Sequence, residues 1–329
     1  MSTFDINTFD FSAITEANNA NPFDNKKTFE KDERFYTLPK DENGNGAAII
    51  AFLPDSQKNI FKKLYKINTT VTKDGKKRFL NTWSPYTINQ PCPFNEISVR
   101  LWNEGDKDGY KVFHPNKRYV ANIKVLKDPA QPENEGKIFL YEMSQRLLDK
   151  IQAAVSPSEQ DLALGEQKKE VFNPLRGWVF KLIAKKTSAL TTYDDSNFIR
   201  CEKVGFNGSI YGDVSTPEAI QKAGAQALDE IKNKCYNLND LLKPETFLSY
   251  NELYDKLQYL AGGLYGIPQK NITSNVQLND TQKTVNVEIE SAANPQDSQD
   301  SQDSQEVKSV QNTDNVSKEE QEINALLGL

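Results

Sequence analysis

The sequence predicts an α+β fold carrying a long polar tail, and three observations lead there. Short apolar and β-branched runs recur through roughly the first 200 residues, each bounded by Pro, Gly, Asn or Asp. Two later segments carry helix caps in the correct order around apolar faces. Finally, no Phe, Trp or Tyr occurs after Tyr265 in a chain of 329 residues.

The elements follow in chain order. Residues 1–34 repeat Phe-Asp at Phe4-Asp5, Phe9-Asp10 and Phe23-Asp24 and end near Lys26-Lys27, which reads as an arm and not a domain. Ala47 to Leu53 (AAIIAFL) and Phe61 to Ile67 (FKKLYKI) read as strands, Lys77 to Thr82 adds another, and Pro85, Pro91 and Pro93 mark a proline-rich connection. In Tyr119 to Tyr141, YVANIKVLKDPAQPENEGKIFLY, one run holds Val120, Ile123, Val125 and Leu126 and a second covers Ile138 to Tyr141. Pro129, Pro132, Asn134 and Gly136 reverse the chain between them, so Tyr119 and Tyr141 are expected on one small antiparallel sheet. Ser144 to Val155 reads as a helix with Leu147, Leu148 and Ile151 on one face, and Gly177 to Ala184 returns to a strand pattern. Thr216 before Pro217 opens a helix toward Cys235, because a threonine oxygen can cap it and proline is preset for its first position. A last helix has a capping box of Ser249 and Glu252, a face of Leu253, Leu257 and Leu260, and a Gly262-Gly263 stop.

Composition excludes several classes. Asp297-Ser298-Gln299 repeats as Asp300-Ser301-Gln302 and Asp303-Ser304-Gln305, so this end lacks the apolar surface to fold alone and is expected to be disordered. From residue 279 onward, eleven acidic residues against three lysines give a charge of −8, leaving +2 of the total −6 for the preceding residues. The acidity belongs to the tail, and such an arm can compete with an anionic ligand for a basic body. Cys92, Cys201 and Cys235 are odd in number and far apart, which speaks against a disulfide framework. No apolar run is long enough for a membrane span, and the MSTFDINTFDF start is unlike a signal sequence, so an intracellular protein is expected. With His114 as the single histidine, no metal-ligand cluster and no phosphate loop, enzymatic activity is not expected; Gly44 to Gly46 and Asp194-Asp195 read as turns.

The remaining pattern points to an anionic strand. Lys58, Lys62, Lys63, Lys66, Lys73, Lys76, Lys77 and Arg78 face only Asp74 in the first strands, with Phe61, Tyr65 and Phe79 among them. Trp83, Tyr86, Trp102, Tyr110 and Tyr119 follow close to Lys111, Lys117 and Arg118, and Tyr141 and Tyr193 return beside Lys185 and Lys186. Cations track phosphates and rings stack on bases, so interleaving the two suits single-stranded nucleic acid, at ~1–3 kcal/mol per stacked base. Aromatic rings on strands also build cores, and each ring is open to that role.

The Tyr119–Tyr141 segment, together with Asn43 to Pro54 (NGNGAAIIAFLP) upstream and Asp149, Lys150, Ile151, Tyr193, Asp194, Asp195, Ser196 and Phe198 downstream, resembles the T4-type bacteriophage single-stranded DNA-binding proteins. The likeness covers most of residues 35–200. It implies an OB-like β-barrel core with helical additions over residues 35–266, a self-association arm at 1–34 and an acidic partner-binding tail at 267–329. It also implies a non-enzymatic protein that coats single-stranded DNA, destabilises duplex and recruits replisome and recombination proteins in the host cytoplasm. By resemblance Tyr110, Tyr119, Tyr141 and Tyr193 match family tyrosines near the DNA cleft, while Trp83, Tyr86 and Trp102 align only with gaps. The expected phosphate contacts are Lys62, Lys63, Lys66, Lys77, Arg78, Lys111, Lys117, Arg118, Lys185 and Lys186. A phage scaffold or assembly protein without DNA binding is the alternative.

Three departures from the family stand out. Val120 follows Tyr119 where the family has tryptophan, and His114-Pro115-Asn116-Lys117-Arg118 replaces a basic, hydroxyl-rich cluster used for contacts between neighbours. The family binds zinc through one His and three Cys. Of that set only Cys92 remains, in Cys92-Pro93-Phe94-Asn95, and Thr82 stands ten residues before it. A structural zinc needs four good ligands, so no cofactor is expected, with apolar packing by neighbours such as Trp83 and Phe94 in its place.

Overall fold

The computed structural model describes residues 32–187 and 190–269. Expectations for the arm before residue 32 and the tail after residue 269 lie outside the described residues.

Among the described residues there are eight strands: β1 (Gly46–Leu53), β2 (Lys62–Lys73), β3 (Lys76–Trp83), β4 (Asn116–Lys127), β5 (Ile138–Met143), β6 (Trp178–Thr187), β7 (Leu190–Thr192) and β8 (Asn197–Arg200). They run in the order β3-β2-β4-β1-β6-β7, with β5 on β4 and β8 on β6, and every pairing is antiparallel. The path is open. Among the described residues no pairing joins its ends, so the expected OB-like barrel is corrected to an open antiparallel sheet with helical additions. The reason lies in β2, which leaves β4 after Lys66 and pairs with β3 alone up to Lys73, so that this hairpin projects into the helices.

β4 organises the sheet. Along one edge it pairs first with β2, from Lys66↔Asn116 to Lys62↔Val120, and then with β1, from Leu53↔Asn122 to Ile49↔Lys127. β5 occupies the other edge, with Ala121 opposite Tyr141 and Tyr119 opposite Met143, which places Tyr119 and Tyr141 on one antiparallel sheet as expected, and on the same face of it. β1 and β2 therefore lie end to end, and the chain must leave the ladder between them. Asp55, buried in that excursion, accepts from the amides of Gln57 and Asn59 and from the Asn59 side chain through 2.8–2.9 Å bonds. Its second oxygen also accepts from the Leu238 amide at 3.1 Å.

Helices α1 (Pro93–Asn103), α2 (Lys107–Phe113), α3 (Gln145–Val155), α4 (Glu159–Ala163), α5 (Pro217–Lys234) and α6 (Tyr250–Ala261) complete the described chain. The capping readings hold: Thr216 Oγ1 accepts from the Ala219 amide, and Ser249 and Glu252 form a reciprocal box. The proline-rich connection is corrected. Pro85–Ile88 is a 3-10 turn, and Pro93 takes the first turn of α1, where its missing N–H is no loss. α2 was not anticipated; Asp106 caps it by accepting from the Gly109 amide at 2.8 Å.

Three faces are buried. Leu147, Leu148 and Ile151 of α3 pack with Tyr36, Phe52, Tyr119, Ile123, Tyr141 and Phe180 on one side of the sheet. Ala223 and Ala227 of α5 pack with Ala51, Leu53, Val179 and Cys201 on the other. The β2–β3 hairpin gives Ile67, Val71 and Leu80 to a separate cluster with Phe94, Leu101, Phe113, Leu253, Leu257 and Leu260. All three cysteines are free thiols, and no helix of the described residues is long and apolar enough to cross a membrane.

Two buried carboxylates make the fold testable. Asp55→Ala strands at least three donors in the β1–β2 excursion and should lower unfolding stability by about 3 kcal/mol, read from urea denaturation midpoints. Glu230 on α5 accepts from Lys124 Nζ at 2.6 Å, Tyr211 Oη at 2.7 Å and Lys234 Nζ at 3.0 Å. Burial pushes its carboxyl upward, but the Lys124, Tyr211 and Lys234 bonds together outweigh that and hold it below its ordinary value of 4.5. A depressed folded-state value stabilises above the unfolded one and is lost as pH falls. The stability advantage of the native protein over Glu230→Gln should be full at neutral pH and shrink as pH drops below 4.5.

Candidate nucleic-acid interface

The expected site residues separate into a groove, a sheet face, a helical hairpin and two peripheral hairpins. The groove encloses about 510 Å³ and is lined by Phe35, Tyr36, Lys66, Trp83, Tyr141, Glu142 and Tyr193, among others. Register builds it: Lys66 stands opposite Trp83 on β3 and opposite Asn116 on β4, and Glu142 stands opposite Val120. Lys66 Nζ lies 4.8 Å from the Trp83 ring centre, a cation–π contact. Segment 34–36 runs along the outer edge of β5, where the Tyr36 amide donates to the Leu140 carbonyl and the Leu140 amide to that of Arg34. This brings Phe35 to 6.2 Å from Trp83.

Four expected residues thus converge: Trp83, Tyr141, Tyr193 and Lys66. Tyr141 is 6% exposed, its ring belonging mostly to the core beside Tyr36, 6.3 Å away. Burial pushes the phenols of both Tyr141 and Tyr193 upward, so they stay neutral at physiological pH. Arg118 joins the groove through Glu142, whose Oε1 accepts from Arg118 Nε at 3.1 Å while Oε2 accepts from Lys66 Nζ.

Lys63 and Tyr65 alternate on the opposite face of β2, across from Tyr119 and Lys117. Tyr86 meets Tyr65 edge to face at 4.8 Å, so Lys63, Tyr86 and Lys117 gather around a ring that the site expectation omitted. Tyr119 is 5% exposed, packs edge-on against Phe61 and donates its hydroxyl to Gln145 Oε1 at 2.6 Å. Lys62 is buried on the side of Leu64, and Val120, at the family's tryptophan position, is fully buried with Leu64, Leu140 and Leu238.

Trp102 and Tyr110 pair across the α1–α2 hairpin at 5.0 Å, and His114 stacks on Tyr110 at 4.6 Å. Trp102 is 38% exposed, and Lys111, on α2 with Tyr110, reaches Asp108. On the β2–β3 hairpin Lys77 is exposed, whereas Arg78 is committed to α6. Arg78 lies 4.7 Å from the Tyr259 ring and donates to the Tyr259 carbonyl and to Asp74. On the β6–β7 hairpin Lys185 pairs with Asp195 at 2.5 Å, which lowers that carboxyl, and Lys186 packs over Gly44.

The residues around Cys92 do not fit a zinc site. Its thiol accepts from Ser84 Oγ at 3.3 Å and is buried with Phe94, Leu101 and Phe113, and burial pushes it upward, away from the thiolate a metal requires. Among the described residues no three His, Cys, Asp or Glu side chains group to hold a metal ion. Phe94 packs there as expected. Trp83 does not; it packs beside Leu64 and Val120.

Sequence reasoning named Tyr65 among the interleaved rings without making it a site residue, and missed Phe35, Tyr36 and Glu142. Strand alternation from Tyr119 and Tyr141 would have placed Glu142 on the face of Lys66 and Arg118; nothing local marks Phe35 and Tyr36.

The chain is similar in sequence to known DNA-binding proteins. A family model described as gp32 DNA binding protein like matches residues 44–261. The single-stranded DNA-binding protein of Enterobacteria phage T2 is 30% identical over 234 residues, covering 70% of this chain and 71% of the relative. The single-stranded DNA-binding protein of Enterobacteria phage T4 is 30% identical over 240 residues, covering 72% and 73%. The match spans well over half of the chain, and the protein belongs to the gp32-like family of DNA-binding proteins.

Proposed function

We propose that this protein binds single-stranded DNA without regard to sequence, using the groove of Trp83, Tyr141 and Tyr193 for bases and Lys66 and Arg118 for the phosphate track. The convergence of those side chains in one groove is the observation that carries the reading. The names of the T2 and T4 relatives support it. Lys63, Lys117 and Tyr86 extend the track across β2, Trp102, Tyr110 and Lys111 serve a flanking nucleotide, and Lys77, Lys185 and Lys186 add long-range attraction.

Several finer parts belong to the same reading. Binding the separated strand and not the paired one lowers duplex stability by mass action. Residues 1–34 mediate contact between neighbours on the strand. Residues 267–329 shield the basic body when DNA is absent and dock replisome and recombination proteins when it is present. The protein acts in replication, recombination and repair in the host cytoplasm, performs no catalysis and needs no metal.

One binding experiment addresses these parts. A fluorescent oligothymidine is titrated across a salt series with the full chain, a chain ending at Asn279 and a chain lacking residues 1–34, with duplex competitor and with EDTA. Expected are tight, salt-sensitive, strand-selective binding, tighter binding without the tail, loss of clustering without the arm, and no effect of EDTA. Trp83→Ala should weaken binding by ~1–3 kcal/mol, roughly five- to 150-fold, if one base stacks there. Absence of binding by the full and shortened chains alike would put the assembly protein in its place.

A further inference from the structure

Glu142 reaches two of the nominated phosphate cations at once, Lys66 and Arg118. Its side chain is 26% exposed, against 18% for Lys66 and 28% for Arg118, so this cluster is more enclosed than the Lys185–Asp195 or Lys111–Asp108 pairs. Its two oxygens are divided, Oε2 to Lys66 on β2 and Oε1 to Arg118 on β4. A phosphodiester has the same donor requirement: one negative charge spread over two terminal oxygens, each open to a cation. The Lys66–Arg118 pair is thus preformed for such a group and already holds an internal one.

Backbone pairing makes the exchange local. Glu142 is set in β5 opposite Val120, and Val120 is buried beneath it. Rotation of the glutamate side chain frees both cations without moving a strand. The strand backbone would then lie beside Trp83, on whose ring Lys66 already rests, and next to Tyr141 in the same groove wall.

We infer that Glu142 is an affinity-setting residue that occupies the phosphodiester site of the groove in the DNA-free protein and is displaced when a strand binds. This rests on the single-stranded DNA reading above and deepens it. Two ion pairs must break for each site filled, and the displaced carboxylate stays near the strand, so both affinity and salt sensitivity are held down. The cluster also keeps Lys66 and Arg118 from repelling each other, so Glu142 favours the empty protein over the loaded one.

The test is the isosteric Glu142→Gln change in the full chain. Oligothymidine binding should tighten by about tenfold at low salt. The slope of log affinity against log salt should steepen by about 0.7, the equivalent of one further neutralised phosphate on a single strand. A purely structural role for Glu142 would not steepen that slope. Lys66→Gln provides a second readout: it should weaken binding more in the Glu142→Gln background than in the native protein, a coupling read from the four-member cycle. Circular dichroism confirms that each variant is folded. Native protein that binds while Glu142→Gln binds equally or more weakly, with an unchanged slope, would overturn the role of Glu142 alone. Native protein that fails to bind would overturn both readings.

Discussion

The structure depends on one constraint: a twelve-residue strand, β4, must satisfy its backbone groups on both edges with partners that each pair along only part of it. One edge is filled by β1 and β2 laid end to end, and two strands in line on one edge force the chain out of the ladder between them. A buried excursion leaves amides without partners, which is expensive in a dry interior. Asp55 resolves this by acting as the missing acceptors, and it also ties down the chain 183 residues later at Leu238. Asn122 of β4 does similar work two residues earlier in that segment, bonding both the amide and the carbonyl of Tyr236. Buried polar side chains in this protein connect distant segments, each with its capacity well used.

The groove is a consequence of the same arrangement. Because β2 runs past the end of β4 to pair with β3, Trp83 is carried to the margin of the sheet beside Lys66. Because β5 fills the opposite edge of β4, Tyr141 and Glu142 arrive from the other side. Alternation then sorts the side chains: Tyr119 and Tyr141 turn toward the core under α3, and Lys66, Arg118 and Glu142 turn the other way. Tyr141 therefore packs for the most part and lends only its edge to the groove, while its neighbour Glu142 reaches into it.

This sorting explains what the sequence made legible. Periodicity revealed β1, β2, β3, the β4–β5 pair and α3, and cap chemistry revealed α5 and α6, because these signals are local. α1 was hidden by its prolines: Pro91 and Pro93 look like breakers unless Pro93 is recognised as a first-turn residue. The open path of the sheet was not legible, since it depends on where β2 parts from β4. For the candidate site, lysine and ring density picked out both Arg78, held by α6, and Lys66 in the groove and could not separate them. Nor could it show carboxylates brought in from other strands, such as Glu142 and Asp195, because pairing across strands is written in register and not in composition.

The helical part shows how such a region is held together by ordinary means. α6 is far in sequence from the β2–β3 hairpin and from α1, yet cations of those elements end on carbonyls at its C-terminus or in the segment just after it. Lys73 donates to the Gly262 carbonyl at 2.6 Å, Arg78 to that of Tyr259, and Arg100 to that of Tyr265. The last carbonyls of a helix lack internal partners and carry partial negative charge, so cations placed there satisfy acceptors and dipole together. Beneath them Leu253, Leu257 and Leu260 close over Cys92, Phe94 and Phe113 in a continuous apolar cluster. Two long-range caps, from Lys73 and Arg78, fix the hairpin to α6 over an apolar core, and Arg100 ties α1 to the segment that follows the helix. With the hairpin anchored at its far end, Trp83 at its near end is held against Lys66, and the groove inherits its shape from contacts made at the opposite end of the same two strands.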